Sequence, residues 1–253
     1  MRIVNTAKQK MIAGEPAFGW ALGYGSPLIA ESLAATGIDF ILLDGQHGSF
    51  GGDSTIASLT AIRAGGSIPM ARVTRNDYSM IGRMLDEGAL GIVIPMVDTP
   101  EQAKAAADAC RLPPTGNRSW GWGRALNYGG DYPDWIDQEV FVAVQIESKL
   151  AVENAEAILA TPGVDGCWMG PGDLSLSYGF RPGSAEAQEP LDRAIETVLA
   201  ACRNTGTVPG YAGGSPAQGK QLAERGFRYI TAGSDIGFVL SGAAEGLKLL
   251  RGE

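Results

Sequence analysis

The strongest constraint on the fold of this 253-residue chain is a recurring unit, a short apolar run rich in β-branched and aromatic residues alternating with a helical pattern. The runs fall at residues 17–22, 38–43, 68–73, 91–96, 140–146, 164–169, 208–211 and 227–231, at spacings mostly between 20 and 30 residues. Each has the length of a strand, and runs such as 38–43 are apolar enough to be buried on both faces, as in a parallel sheet. The helices between them carry their own punctuation. Ser26-Pro27 and Thr99-Pro100 open helices, Asn76 or Asp77 caps one that runs through residue 87, and Gly14 and Gly37 close two others. Further helices are predicted over 52–64, 149–159, 186–204, 216–225 and 236–250, with a short amphipathic lid helix over 5–14. Eight such units in this length predict a single-domain α/β protein, a (β/α)8 TIM barrel. A doubly wound open sheet is the alternative, but no GxGxxG opens the first βα turn and a sheet of that width is unusual.

One region breaks the rhythm. Residues 113–138 hold Trp120, Trp122, Tyr128, Tyr132 and Trp135, an aromatic-rich insert before the fifth strand. It reads either as a packed loop or subunit contact, or as a lid that touches substrate.

Composition removes several classes of function. A net charge of −8 and a pI near 4.8 argue against a nucleic-acid binder, which needs a basic face. Cys110, Cys167 and Cys202 show no CxxC or CxxH spacing, so neither a zinc knot nor a disulfide framework is expected, only buried thiols in a reducing compartment. No signal-peptide pattern opens the chain and no apolar run approaches membrane-spanning length, so the reading is cytoplasmic with no membrane partner.

In a barrel, the residues just past each strand share the rim where ligands bind. Here that rim carries Trp20, then Asp44, Gln46 and His47, Arg72 and Arg75, Pro95 and Met96, Gln145 and Glu147, Asp173, Tyr211, and Ser234 with Asp235. His47 is the only histidine, the side chain whose ordinary pKa lies closest to neutrality. Glu147 and Asp173 end adjacent strands. Read as a pair they suit Mg²⁺ or Mn²⁺, which prefer oxygen ligands and keep open positions; read singly they cap a helix and a turn. The lysine nearest in sequence, Lys149, starts a helix instead of ending a strand, which argues against a Schiff-base aldolase.

The segments Leu43-Asp44-Gly45-Gln46-His47-Gly48, Met70-Ala71-Arg72, Ile94-Pro95-Met96-Val97, Val144-Gln145-Ile146-Glu147 and Gly170-Pro171-Gly172-Asp173-Leu174-Ser175 share one order and spacing with a known family. They resemble the HpcH/HpaI aldolases, metal-dependent class II enzymes acting on 2-oxo acids, and Leu112-Pro113-Pro114-Thr115-Gly116-Asn117-Arg118 resembles the segment before that family's aromatic loop. The resemblance implies that Glu147 and Asp173 bind a divalent metal (Mg²⁺, Mn²⁺ or Co²⁺), with Gln145 beside the metal or its water. It implies that Arg72 faces the C2 oxygen of a pyruvyl group, that His47 acts as acid and base supported by Asp86, and that N–H groups around Gly170 and Gly172 cradle the substrate carboxylate. Trp20, with Trp122, Tyr128, Tyr211 and Phe238, either lines the aldehyde side or is packing. The implied reaction makes or cleaves 4-hydroxy-2-oxo acids from pyruvate or hydroxypyruvate and an aldehyde, in a homo-oligomer, plausibly a hexamer. An oxaloacetate decarboxylase, a CoA-thioester lyase and a non-catalytic metal-binding scaffold are the alternatives. Gln46 departs from the Asp-Gly-Glu-His that many members of the family carry.

Overall fold

Alternation along the strands decides what fills the interior of this protein, whose computed structural model describes residues 3–121, 123–129 and 131–252. The strands are β1 (Ala17–Leu22), β2 (Phe40–Asp44), β3 (Ile68–Arg72), β4 (Gly91–Ile94), β5 (Phe141–Ile146), β6 (Gly166–Met169), β7 (Gly210–Gly213) and β8 (Tyr229–Ser234). They pair in parallel and in sequence order, and β8 returns to β1 to close the barrel. The floor of the interior is aromatic: Phe40 packs on Tyr229 at 4.8 Å between ring centroids, and Phe141 on Tyr229 at 5.2 Å. Gly19 on β1 has no room for a side chain there, since a Cβ would lie 2.2 Å from the Phe40 ring. Residues two and four places further along β2, β3 and β5 point into the same interior at the opposite end. That spacing carries Asp44, Arg72 and Gln145 to the rim.

The outer layer contains α2 (Pro27–Ala34), α3 (Gly52–Ala64), α4 (Tyr78–Asp86), α5 (Pro100–Cys110), α6 (Ile136–Glu139), α7 (Lys149–Glu153), α8 (Ala155–Leu159), α9 (Pro171–Ser177), α10 (Ala185–Thr205), α11 (Pro216–Arg225) and α12 (Asp235–Arg251). The expected caps are present. Ser26 accepts from the Ile29 N–H, Asp77 from those of Ser79 and Met80, and Thr99 forms a reciprocal capping box with Gln102. Before β1, α1 (Thr6–Ile12) closes the floor, the end opposite the ligand rim: Asn5 donates to the Leu90 and Glu139 carbonyls and Lys8 to that of Val140.

Strands β2, β6 and β8 begin two residues later than expected, and four other elements differ for local reasons. Strand β7 begins at Gly210, two residues late, because Pro209 has no N–H to donate and Val208 makes only an isolated bridge to Gly166. The helix expected over 149–159 breaks at Asn154, whose backbone leaves the helical region (φ −96°, ψ 6°). The Gly-Pro-Gly-Asp segment opens α9, too short to register as a periodic pattern. Strand β4 stops at Ile94 because the backbone reverses at Met96. In the insert, Tyr128, Tyr132 and Trp135 are buried in a ring cluster, with centroids 6.1 and 5.5 Å apart, so this part is packed loop; Trp122 lies outside the described residues. Among the described residues no helix is long and apolar enough to cross a membrane.

Candidate active site

The rim is built outward from one ion pair. Asp44 and Arg72 sit directly opposite each other in the β2–β3 register, and the pair is bidentate: Nε to Oδ1 at 2.9 Å and Nη2 to Oδ2 at 2.5 Å. Burial alone would raise the Asp44 carboxyl, but the Arg72 hydrogen bonds and charge, joined by the N–H groups of His47 and Gln46, hold it below its ordinary value. The guanidinium carbon lies 5.3 Å from the centroid of the Trp168 ring, which supports it from β6. With Nε and Nη2 turned to Asp44, the Nη1 donors remain for a ligand at the barrel mouth.

Across the mouth, β5 contributes Gln145 and Glu147. Glu147 is 2% exposed, with Oε1 accepting from the Met96 N–H at 2.8 Å and Oε2 from Gln145 Nε2. Burial first, and then the neighbouring Asp173 carboxylate, push its carboxyl up to about 7 against the opposing pull of the Met96 hydrogen bond and the Arg72 charge. The close approach of β6 depends on Gly170, where a Cβ would lie 2.9 Å from Glu147 Oε2 and 2.8 Å from Gln145 Nε2. Asp173 stands in the first turn of α9, where the N–H groups of Gly172 and Asp173 have no acceptor within the helix.

The buried Glu147 carboxylate and the exposed Asp173 carboxylate are neighbouring like charges, and such a pair wants a cation between them. The Gln145 Oε1 atom adds a buried oxygen without a donor. Among the described residues no cluster of three or more His, Cys, Asp or Glu side chains forms a metal cage, so a cation held by Glu147 and Asp173 would keep positions open for water and substrate. The donor set therefore fits a hard divalent cation.

Met96 was visible in the sequence only as a rim residue; its backbone role was not. It holds φ 55°, a left-handed conformation unusual outside glycine, and that turn aims its N–H at Glu147. Met96→Val, which places a β-branched residue there, should destabilise the protein by about 1–3 kcal/mol in urea unfolding, whereas Met96→Gly should not. Equal stability of the two variants would contradict the strain.

The other expected residues divide. His47 is exposed at the rim, its N–H bonded to Asp44 Oδ1 at 3.1 Å, and its ring has no hydrogen-bond or ion-pair partner among the described residues. Asp86 does not support it within one chain. The fully buried Arg118 needs a counter-charge and takes Asp86 instead, at 2.8 Å, while also donating to the Tyr132 hydroxyl at 3.0 Å. Trp20 is corrected as well: Gly19 faces the interior, so alternation turns Trp20 outward, edge-on to Phe238 at 5.0 Å and near Thr36. Tyr211 packs on Phe227. Lys149 is exposed, 3.9 Å from Glu153. Asp44 and Trp168 were missed as functional partners. The parallel register of β2 and β3, and the period of two linking Gly166, Trp168 and Gly170, were the available signals.

The sequence profile of the HpcH/HpaI aldolase/citrate lyase family matches residues 20–241. The chain belongs to this family. Membership makes it an enzyme of the carbon–carbon lyase class. Among relatives of this HpcH/HpaI aldolase, the hydroxypyruvate/pyruvate aldolase of Chromohalobacter salexigens is 35% identical over 258 residues, covering 100% of both chains. The 5-keto-4-deoxy-D-glucarate aldolase of Escherichia fergusonii is 34% identical over 241 residues, covering 94% of this chain and 93% of its own. The crystal structure of a family member from Burkholderia cenocepacia superposes with a TM-score of 0.91 at 34% identity, covering 98% of this chain and 100% of that one.

Proposed function

We propose that the protein is a class II aldolase that makes or cleaves 4-hydroxy-2-oxo acids, using pyruvate or hydroxypyruvate as the donor and a divalent cation held by Glu147 and Asp173. The observation that carries this reading is the opposition of the buried Glu147, with the exposed Asp173 carboxylate beside it, to the Asp44-anchored Arg72 across one barrel mouth. When bound, the cation supplies Lewis-acid polarisation of an adjoining oxygen. Arg72 presents its free Nη1 donors to the C2 oxygen, where negative charge develops as the C3–C4 bond breaks, and Asp44 keeps the guanidinium from turning away. The first-turn N–H groups of α9 receive the donor's carboxylate. His47, exposed beside this pair, takes the C4 hydroxyl proton in cleavage and returns it in condensation. The insert's aromatic cluster is packed on itself, so the aldehyde is met by the rim loops. Assayed with hydroxypyruvate or pyruvate and a panel of aldehydes under one metal, the protein should release 4-hydroxy-2-oxo acids; binding of donor without turnover would reject the reading in favour of a scaffold.

The same reading includes a homo-oligomer. Along α12 only Asp235 is buried, while Val239, Leu240, Leu247, Leu249 and Leu250 are 46–87% exposed. A contiguous apolar helix of this kind is covered in solution, and a second copy of the chain supplies the cover. Light scattering should give a multiple of 26.4 kDa, and Leu240→Glu with Leu247→Glu should lower it. A wild-type monomer would reject the oligomer.

A further inference from the structure

Below the active site, two thiols face each other. Cys167 on β6 and Cys202 on α10 are both buried, with their Sγ atoms 3.8 Å apart, whereas Cys110 stands alone on α5. The S–H of Cys202 and the N–H of Gly210 draw the Cys167 thiol below its ordinary value despite burial, while Cys202, the donor, is raised. Proton loss from the pair therefore leaves negative charge on Cys167. A cavity of about 700 Å³ opens on the barrel floor between α1, the end of α10 and the starts of β6 and β7, and Cys202 lines it together with Val164, Arg203, Thr207 and Arg228. The cavity gives a small reagent a route to a sulfur that is otherwise enclosed.

We propose that Cys167 and Cys202 form a modification site, which a peroxide entering the floor cavity converts to an intrachain disulfide. The first step forms an S–O bond at Cys202, the sulfur that lines the cavity, as its proton passes to the Cys167 thiolate and the peroxide O–O bond breaks. Its leaving hydroxide takes a thiol proton to become water. Cys167 sulfur then attacks Cys202 sulfur, the S–S bond forms as the S–O bond breaks, and a second water leaves with the second thiol proton. Two thiols are oxidised by two electrons and one peroxide is reduced to two waters. Closure to an S–S bond of about 2.05 Å needs a combined approach of about 1.8 Å. Strand β6 bears part of that shift, and three residues beyond Cys167 it delivers Gly170, against which Glu147 and Gln145 are packed. Oxidation at the floor thereby reaches the rim and slows turnover.

The test treats the reduced, folded protein with hydrogen peroxide and follows peptide maps and aldol turnover together. Expected are a cross-linked peptide joining Cys167 to Cys202, with loss of about 2 Da, a several-fold fall in turnover, and reversal of both by dithiothreitol. Cys202→Ser and Cys167→Ser should each prevent the cross-link and preserve turnover under peroxide; either folded variant suffices. Persistence of both thiols in the wild type, or oxidation of single sulfurs without the cross-link, overturns the site. A cross-link that leaves turnover unchanged overturns its coupling to the rim. The peptide map does not depend on the aldolase reading, so failure of one is distinguishable from failure of the other.

Discussion

Arg72→Ala should lower aldol turnover by about 10²–10³-fold, the usual effect of removing a donor aimed at a developing oxyanion. The variant should still fold, at a cost of about 2 kcal/mol, because Asp44 loses both charge-assisted hydrogen bonds and keeps only the N–H donors of Gln46 and His47. Arg72→Lys should recover little, since an ammonium cannot span both Asp44 oxygens and face the ligand at once. Asp44→Asn is the informative companion. It leaves the arginine in place but weakens its anchor, so turnover should fall with intermediate severity. Turnover of Arg72→Ala within a few-fold of wild type, with circular dichroism unchanged, would remove Arg72 from the chemistry.

Glu147→Gln should abolish tight binding of the divalent cation and reduce turnover by at least about 10³-fold, combining loss of the Lewis acid with loss of donor orientation. Stability should move the other way in metal-free protein. The folded carboxyl titrates at about 7 and the unfolded one near 4.5. Below the lower value both states hold the proton. Between the two values the unfolded chain ionises while the folded protein stays protonated, so this group's contribution to stability falls as pH rises and becomes flat above the upper value. The difference in melting temperature between wild type and Glu147→Gln should therefore grow in favour of the variant across that window. Saturating Mg²⁺ should remove the trend, because the cation competes with the proton. A pH-independent difference in metal-free protein would show that Glu147 is not held at a raised pKa.

Much of the fold was legible because strand and helix signals in this chain are local. Apolar runs, Ser26-Pro27, Asp77 and Thr99-Pro100 each act within a few residues, and their count leads to a closed eight-stranded barrel. Three of the boundaries that moved did so where one residue overrides the pattern: Pro209 at β7, Asn154 within a helix, and Met96 at the end of β4. At the site, residue types at strand ends marked Arg72, Gln145, Glu147 and Asp173. Partner choice was not marked. Asp44 reaches Arg72 through strand register, and Arg118 captures Asp86 from 32 positions away because a buried guanidinium requires an anion. Trp20 was misplaced for a simpler reason, that a position beside a strand end does not say which face the side chain takes. Gln46 stays beside this network, its N–H on Asp44 and its buried Oε1 without a donor.

In the proposed reaction this barrel mouth forms an enolate from a 2-oxo acid with the help of a divalent cation. Exchange of the methyl protons of pyruvate with solvent deuterium, followed by NMR without any aldehyde, reads that step directly. Metal-stripped protein should show no exchange above the uncatalysed rate, Mn²⁺ or Mg²⁺ should restore it, and Glu147→Gln should stay inactive with either metal. Full exchange in excess chelator would contradict the account.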